Sequence, residues 1–157
     1  MKPTLLTAIL LWVLGSCSQQ VQEQNSVYLQ VNQKLLSEEV YTSEGFLFKK
    51  PKNWVSVNES QSGPPVFMNP VDSSFMLLSV PTPDLSSFNG PQSSEFVQNS
   101  IHFSQDVYQN ETMVFFAVRM KNEIDSTGVI YVVPRASVDQ LAPVIESSIG
   151  SIEPARG

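Results

Sequence analysis

Apolar side chains along this chain fall into short blocks of contrasting period. The first is a run of ten at residues 5–14, preceded by Lys2 and followed by Gly15-Ser16-Cys17. A bilayer span takes about 18 apolar residues or more, so this block has the length of a signal-peptide core instead. Residues 18–26 (SQQVQEQNS) are polar, Gln-rich and aperiodic, as expected of a tether. Within 27–40, Val27/Tyr28, Val31 and Leu35/Leu36 recur every three to four positions, which favours a short amphipathic helix over an extended arm.

Past Val40 the period shortens to two. Phe46-Leu47-Phe48 and Trp54-Val55-Ser56-Val57 alternate on either side of Lys49-Lys50-Pro51-Lys52-Asn53, predicting a β-hairpin whose aromatics, Trp54 above all, face a core. Val66-Phe67-Met68 predicts a short strand ended by Asn69-Pro70, and residues 75–80 (FMLLSV) a buried strand stopped by Pro81. Asn89-Gly90-Pro91 breaks the pattern. Pro91 suits the first turn of a helix, with Phe96, Val97 and Ile101 as its inner face and its end near Gln105.

Residues 113–120 (MVFFAVRM) and 128–133 (GVIYVV) predict two further strands, joined by the polar 121–127 and closed by Pro134. Ser137-Val138-Asp139-Gln140 has the spacing of a capping box, and Val138, Leu141, Ile145 and Ile149 recur at helical spacing. Pro143 inside that pattern either kinks the helix or moves its start to Ala142, and Gly150 is a natural C-cap. The order of elements gives an α+β class with a mainly antiparallel sheet. There is no internal repeat.

Composition narrows the functions open to this fold. The chain has 157 residues, 15 acidic and 9 basic, one Cys and one His. A net charge of −6 without a basic stripe argues against general nucleic-acid binding, which needs clustered Lys and Arg. One cysteine makes neither an internal disulfide nor a Cys-rich zinc site. The 22 serines accompany a single histidine, and no G-x-S-x-G, H-E-x-x-H or glycine-rich phosphate loop is present. No catalytic constellation can be assembled, so the expectation is a protein that is not an enzyme.

The cysteine has a specific setting. Leu14-Gly15-Ser16-Cys17 resembles the lipobox of bacterial lipoproteins, in which small residues precede a cysteine that is acylated before cleavage. The resemblance implies a signal peptide at 1–16, a lipid-bearing Cys17 as the first mature residue, a tether at 17–26 and a domain at 27–157. Two or more acyl chains anchor a protein stably where one does so only marginally. Palmitate-type acylation would hold the domain at a membrane facing the periplasm or a thylakoid lumen. Ser18, in place of Asp, favours the outer membrane in a Gram-negative cell.

Three stretches together resemble the PsbP family. Tyr41-x-x-x-Gly45-Phe46-x-Phe48-x-x-Pro51-x-x-Trp54 is similar to its opening motif, and Gly63-Pro64-Pro65-Val66-Phe67 to the strand that follows. Residues 75–96 are similar to its join into the first helix, and Val144-Ile145-Glu146-Ser147-Ser148-Ile149 to its closing helix end. The resemblance runs from Tyr41 to Ile152, with a shorter stretch than usual between Ser104 and Ala136. It implies an α/β/α sandwich and, in a cyanobacterium, a lumenal lipoprotein that assists assembly or stability of photosystem II. In a non-photosynthetic bacterium it implies an envelope lipoprotein. The same sandwich occurs in periplasmic lipoproteins of the DcrB type, so fold alone does not fix function.

Two side-chain groups remain as candidates. His102 and Asp106, at i and i+4 of the expected helix, would share a face and could supply half of a zinc or calcium site, the basis of an alternative reading as a metal-dependent factor. Asp72, Asp84 and Asp125 lie in loops without EF-hand spacing. Lys49, Lys50 and Lys52 form a basic cluster on an acidic chain and could contact anionic lipid or an acidic partner. Otherwise they are a solvated turn.

Overall fold

The computed structural model describes residues 29–155 apart from 44, 58–62, 79–83 and 122–125. Cys17, the lipobox and the tether lie outside the described residues. Among the described residues there are ten strands and one α-helix: β1 (Tyr41–Ser43), β2 (Phe46–Phe48), β3 (Val55–Ser56), β4 (Val66–Met68), β5 (Phe75–Leu78), β6 (Asn89–Gln98), β7 (Ile101–Gln109), β8 (Met113–Lys121), β9 (Ser126–Pro134), α1 (Val138–Gly150) and β10 (Glu153–Pro154). Seven strands form one sheet in the order β3-β4-β5-β9-β8-β7-β6, and β1-β2-β10 form a small second sheet. Every pairing is antiparallel. The α+β class with an antiparallel sheet holds.

β8 and β9 sit at the centre because they are rich in β-branched and aromatic residues and stay apolar on both faces. Their register opposes Phe116 to Tyr131 and Val118 to Val129, and β5 adds Met76 opposite Tyr131. These residues share the face that α1 covers through Leu141, Ile145 and Ile149, all buried in one core with Phe96, Phe103 and Met120. Each fully buried side chain of this kind is worth roughly 1.5–3 kcal/mol of transfer free energy. The small sheet completes the cover over β4. Tyr41 stacks on Phe48 with centroids 5.6 Å apart and meets the edge of Phe67 at 5.0 Å.

The segment expected to be a helix from Pro91 to Gln105 is a β-hairpin, β6–β7, at the sheet edge. Gln98 opposes Ile101 across a two-residue turn in which Asn99 has φ 50° and Ser100 φ 65°. Two consecutive positive φ values are the signature of a type I′ hairpin turn. The core residues of this region are therefore Phe96, Ile101 and Phe103, spaced by a turn and by strand alternation. Val97, expected on the inner face with Phe96 and Ile101, is instead 37% exposed, because strand alternation turns it away from Phe96. Gly90, read as the break before that helix, instead lies within β6 at φ 132°, where a Cβ would come 2.7 Å from the Val107 carbonyl oxygen.

Two expectations for the N-terminal half are also corrected. Phe46–Phe48 pairs with Tyr41–Ser43 and not with the Trp54 region, whose Val55–Ser56 joins the large sheet through β4. Trp54 itself is buried, as expected of a core anchor. The described part of 27–40 is an extended arm with one 3-10 turn at Gln33–Leu35, because its apolar residues find separate partners. Leu36 bridges to Pro51, and the Asn32 N–H donates to Ser147 Oγ at 3.1 Å.

α1 begins at Val138 and runs through Pro143, which faces solvent; Ser137 makes no side-chain cap bond, so the capping box is not formed. Gly150 is the last helical residue and Ser151 the C-cap. The reason for glycine at 150 is a close approach: a Cβ there would lie 2.6 Å from Val31 Cγ2.

Candidate functional site

The end of α1, the arm and the loop after β2 converge, and backbone pairing decides where the lysines point. Ser37 N–H donates to the Lys50 carbonyl at 3.0 Å and Lys52 N–H to the Leu35 carbonyl at 2.8 Å. Lys49 is held from the other side: its N–H donates to Ser151 Oγ at 3.0 Å, and its carbonyl accepts from Ser148 Oγ at 2.8 Å. Ser148 in turn accepts from the buried phenol of Tyr131 at 2.9 Å. Burial pushes the Tyr131 phenol well above its ordinary value, and the bond to Ser148 offsets part of that. This serine-rich clip fixes the loop to the helix end.

The clip divides the basic cluster. Lys50 turns inward, with Nζ donating to the Trp54 carbonyl at 2.6 Å and lying 5.9 Å from the centroids of both Tyr41 and Phe67. Lys49 turns outward, its Nζ donating to Gln33 Oε1 at 3.2 Å. Lys49, Lys52 and Lys34 line one groove with Gln33, Leu36, Ser37 and Glu38. Lys34 had no place in a cluster defined by sequence neighbours. Only the pairing of the arm with the loop brings it there.

A second groove, of about 290 Å³, shares Lys49 and is lined by Val31, Leu47, Gln98 and Glu153 among others. Gln98 Oε1 is buried with no hydrogen-bond partner among the described residues.

His102 and Asp106 do not form a pair. Both lie on β7, where four residues rise about 13 Å, too far for one ion to bind both. His102 is exposed opposite Val97. Asp106 accepts from Ser93 Oγ at 2.6 Å and is ion-paired with Arg119, a cross-strand contact on the sheet face away from α1. Among the described residues no group of three or more His, Cys, Asp or Glu could hold a metal ion.

The loop aspartates serve local turns. Asp72 Oδ1 accepts from Ser74 N–H and Asp84 Oδ1 from Ser86 N–H, each at 3.0 Å. Hydrogen bonds from the Ser86 backbone and hydroxyl hold the Asp84 carboxyl below its usual range. Asp125 lies outside the described residues. No helix among the described residues is long and apolar enough to cross a membrane.

No protein-family model matches the chain, and no curated protein matches its sequence. Among solved structures, the fold is similar to that of cyanobacterial PsbP (CyanoP) from Synechocystis sp. PCC 6803. The TM-score is 0.50 at 11% identity, covering 74% of this chain and 91% of that one. At that identity the likeness is one of fold. It agrees with the motifs at both ends of the domain, Tyr41 to Trp54 and Val144 to Ile149.

Proposed function

We propose that the chain is a lipid-anchored extracytoplasmic protein of the PsbP-like type that acts by binding, without chemistry of its own. In a photosynthetic bacterium it is an extrinsic accessory of photosystem II, working in assembly or stabilisation. The observation that carries this reading is the fold likeness to a cyanobacterial PsbP over most of the domain. The lipobox at Cys17 supports it, because a tether holds a weak binder at high effective concentration beside membrane complexes.

Two measurements test it. Wild-type protein should incorporate radiolabelled palmitate and partition into detergent, and Cys17→Ser should do neither. Affinity isolation from the solubilised membranes of a photosynthetic host should then enrich photosystem II subunits, less so for Cys17→Ser. A wild-type isolate without those subunits overturns the accessory role, and an unlabelled wild type overturns the anchor.

A further inference from the structure

We propose that Lys34, Lys49 and Lys52 form a basic docking face that lays the domain on an anionic phospholipid surface beside its own tether. The proposal deepens the lipid-anchor reading and rests on it for the position of the membrane. Three lysines from two separate segments line one groove with a single acid, Glu38, on a chain of net charge −6. None of the three is ion-paired among the described residues. Their carriers are fixed: the arm is pinned to the loop through Ser37, Lys52 and their carbonyl partners, and the loop to α1 through Ser148 and Ser151. A rigid cationic face is the arrangement that adds charge contacts without first ordering a loop.

A lipid surface is favoured over a protein by location. Lys34 is five residues from Leu29, and eleven residues separate Leu29 from Cys17. Those twelve peptide steps reach at most about 40 Å, so an acylated Cys17 leaves this face within reach of the bilayer. Lysines near an anionic leaflet each strengthen attachment by roughly fivefold, an effect that fades within a Debye length of about 8–10 Å. Lys50 is excluded from the face, since its ammonium is committed to the Trp54 carbonyl and two aromatic rings.

The test uses the full lipidated chain reconstituted into phosphatidylglycerol or phosphatidylcholine vesicles, with amine acetylation read residue by residue. Acetylation of Lys34, Lys49 and Lys52 should be slower by about threefold or more on phosphatidylglycerol, and the difference should vanish at high salt. Equal rates on both vesicles overturn the proposal. Equal rates on both, with protection only in native membranes, also overturn it and assign the face to a protein. Flotation with phosphatidylglycerol alone keeps the face and removes the anchor, whereas flotation with neither removes both. The K34Q/K49Q/K52Q variant should still float with phosphatidylcholine and should lose the salt-sensitive part of its attachment to phosphatidylglycerol.

Discussion

The phenol of Tyr131, wholly enclosed in the sheet, donates to Ser148 Oγ at 2.9 Å, and Ser148 passes the chain on to the Lys49 carbonyl at 2.8 Å. One serine therefore joins the central strand, the helix and the loop that carries the basic cluster. The two ends of the relay differ in what their removal leaves behind. Tyr131→Phe takes away a donor, and Ser148 still donates to Lys49. Ser148→Ala strands the buried Tyr131 hydroxyl and leaves the Lys49 carbonyl with only the longer 3.5 Å bond from Ser151 Oγ. Net hydrogen bonds are worth about 1 kcal/mol, and an unsatisfied buried group costs about 1–3 kcal/mol. Ser148→Ala should therefore destabilise by about 2–3 kcal/mol and Tyr131→Phe by about 1 kcal/mol in denaturant unfolding, with the double variant costing less than the sum.

The same phenol makes stability depend on alkaline pH. Burial raises its folded pKa above the ordinary tyrosine value of about 10, so its contribution is complete below that pH. Above that value the unfolded chain gives up the proton while the folded one keeps it, and stability falls at up to about 1.4 kcal/mol per pH unit. The stability difference between wild type and Tyr131→Phe should thus be flat from neutral pH to about 10 and shift in favour of the variant above it. A difference that stays constant to pH 11 would contradict the burial of this hydroxyl.

At the β6–β7 turn the two residues do different work. Ser100 holds φ 65° with no side-chain hydrogen bond among the described residues, a conformation in which glycine is at ease. Asn99 tolerates φ 50° and also donates Nδ2 to the carbonyls of Gly150 at 3.0 Å and Ile152 at 2.7 Å, capping the end of α1 from another element. Ser100→Gly should raise stability by about 0.5–1 kcal/mol, and Asn99→Ala should lower it by about 1–3 kcal/mol. Asn99→Gly keeps the turn and loses the cap, so it should fall between wild type and Asn99→Ala in thermal unfolding.

The lysines should separate by the same logic. Lys50→Ala removes a bond to the Trp54 carbonyl and an ammonium near two aromatic faces, and should cost about 1–2 kcal/mol. Lys52→Ala, at an exposed position, should change unfolding by less than about 0.5 kcal/mol. Comparable losses in the two variants would mean that the inward and outward assignments are wrong.

The contrast between these lysines shows where local sequence stops being informative. Strands β4, β5, β8 and β9 and the helix α1 are legible because each carries its own period and its own stop signal, Pro134 before the helix being the clearest. β6 is not, since NGPQSSEFVQ holds two apolar residues and an edge strand needs only one partner to form. The spacing of Phe96, Val97 and Ile101 spans a turn, and treated as one element it has the three-to-four period of a helix. His102 and Asp106 fail as a pair for that reason: i and i+4 are neighbours on a helix and about 13 Å apart on a strand. Lys34 joins the basic face through hydrogen bonds to the loop after β2, and no period along the chain encodes that meeting. The terminal Ser147-Ser148 motif is legible as a pattern, but its use as a clip appears only with Tyr131, Lys49 and Asn32 in place.

Gly150 gives the sharpest test of the arm that presents Lys34. Its hydrogen faces the arm, and a Cβ would sit 2.6 Å from Val31 Cγ2 and 3.4 Å from Leu29 Cβ. Alanine is the better helix former by about 0.5–1 kcal/mol, so helix propensity alone makes Gly150→Ala stabilising. Overpacking a close contact costs about 1–3 kcal/mol, and here the larger effect is the clash. Gly150→Ala should therefore lower stability by about 1–2 kcal/mol and speed tryptic cleavage at Lys34 as the arm is pushed from the helix end. Val31→Ala removes the methyl groups that the new Cβ would strike. The double variant should regain the slow cleavage of wild type, leaving Val31→Ala alone slightly destabilised by lost packing. Fast cleavage in the double variant would show that the arm is not seated against Gly150 through Val31.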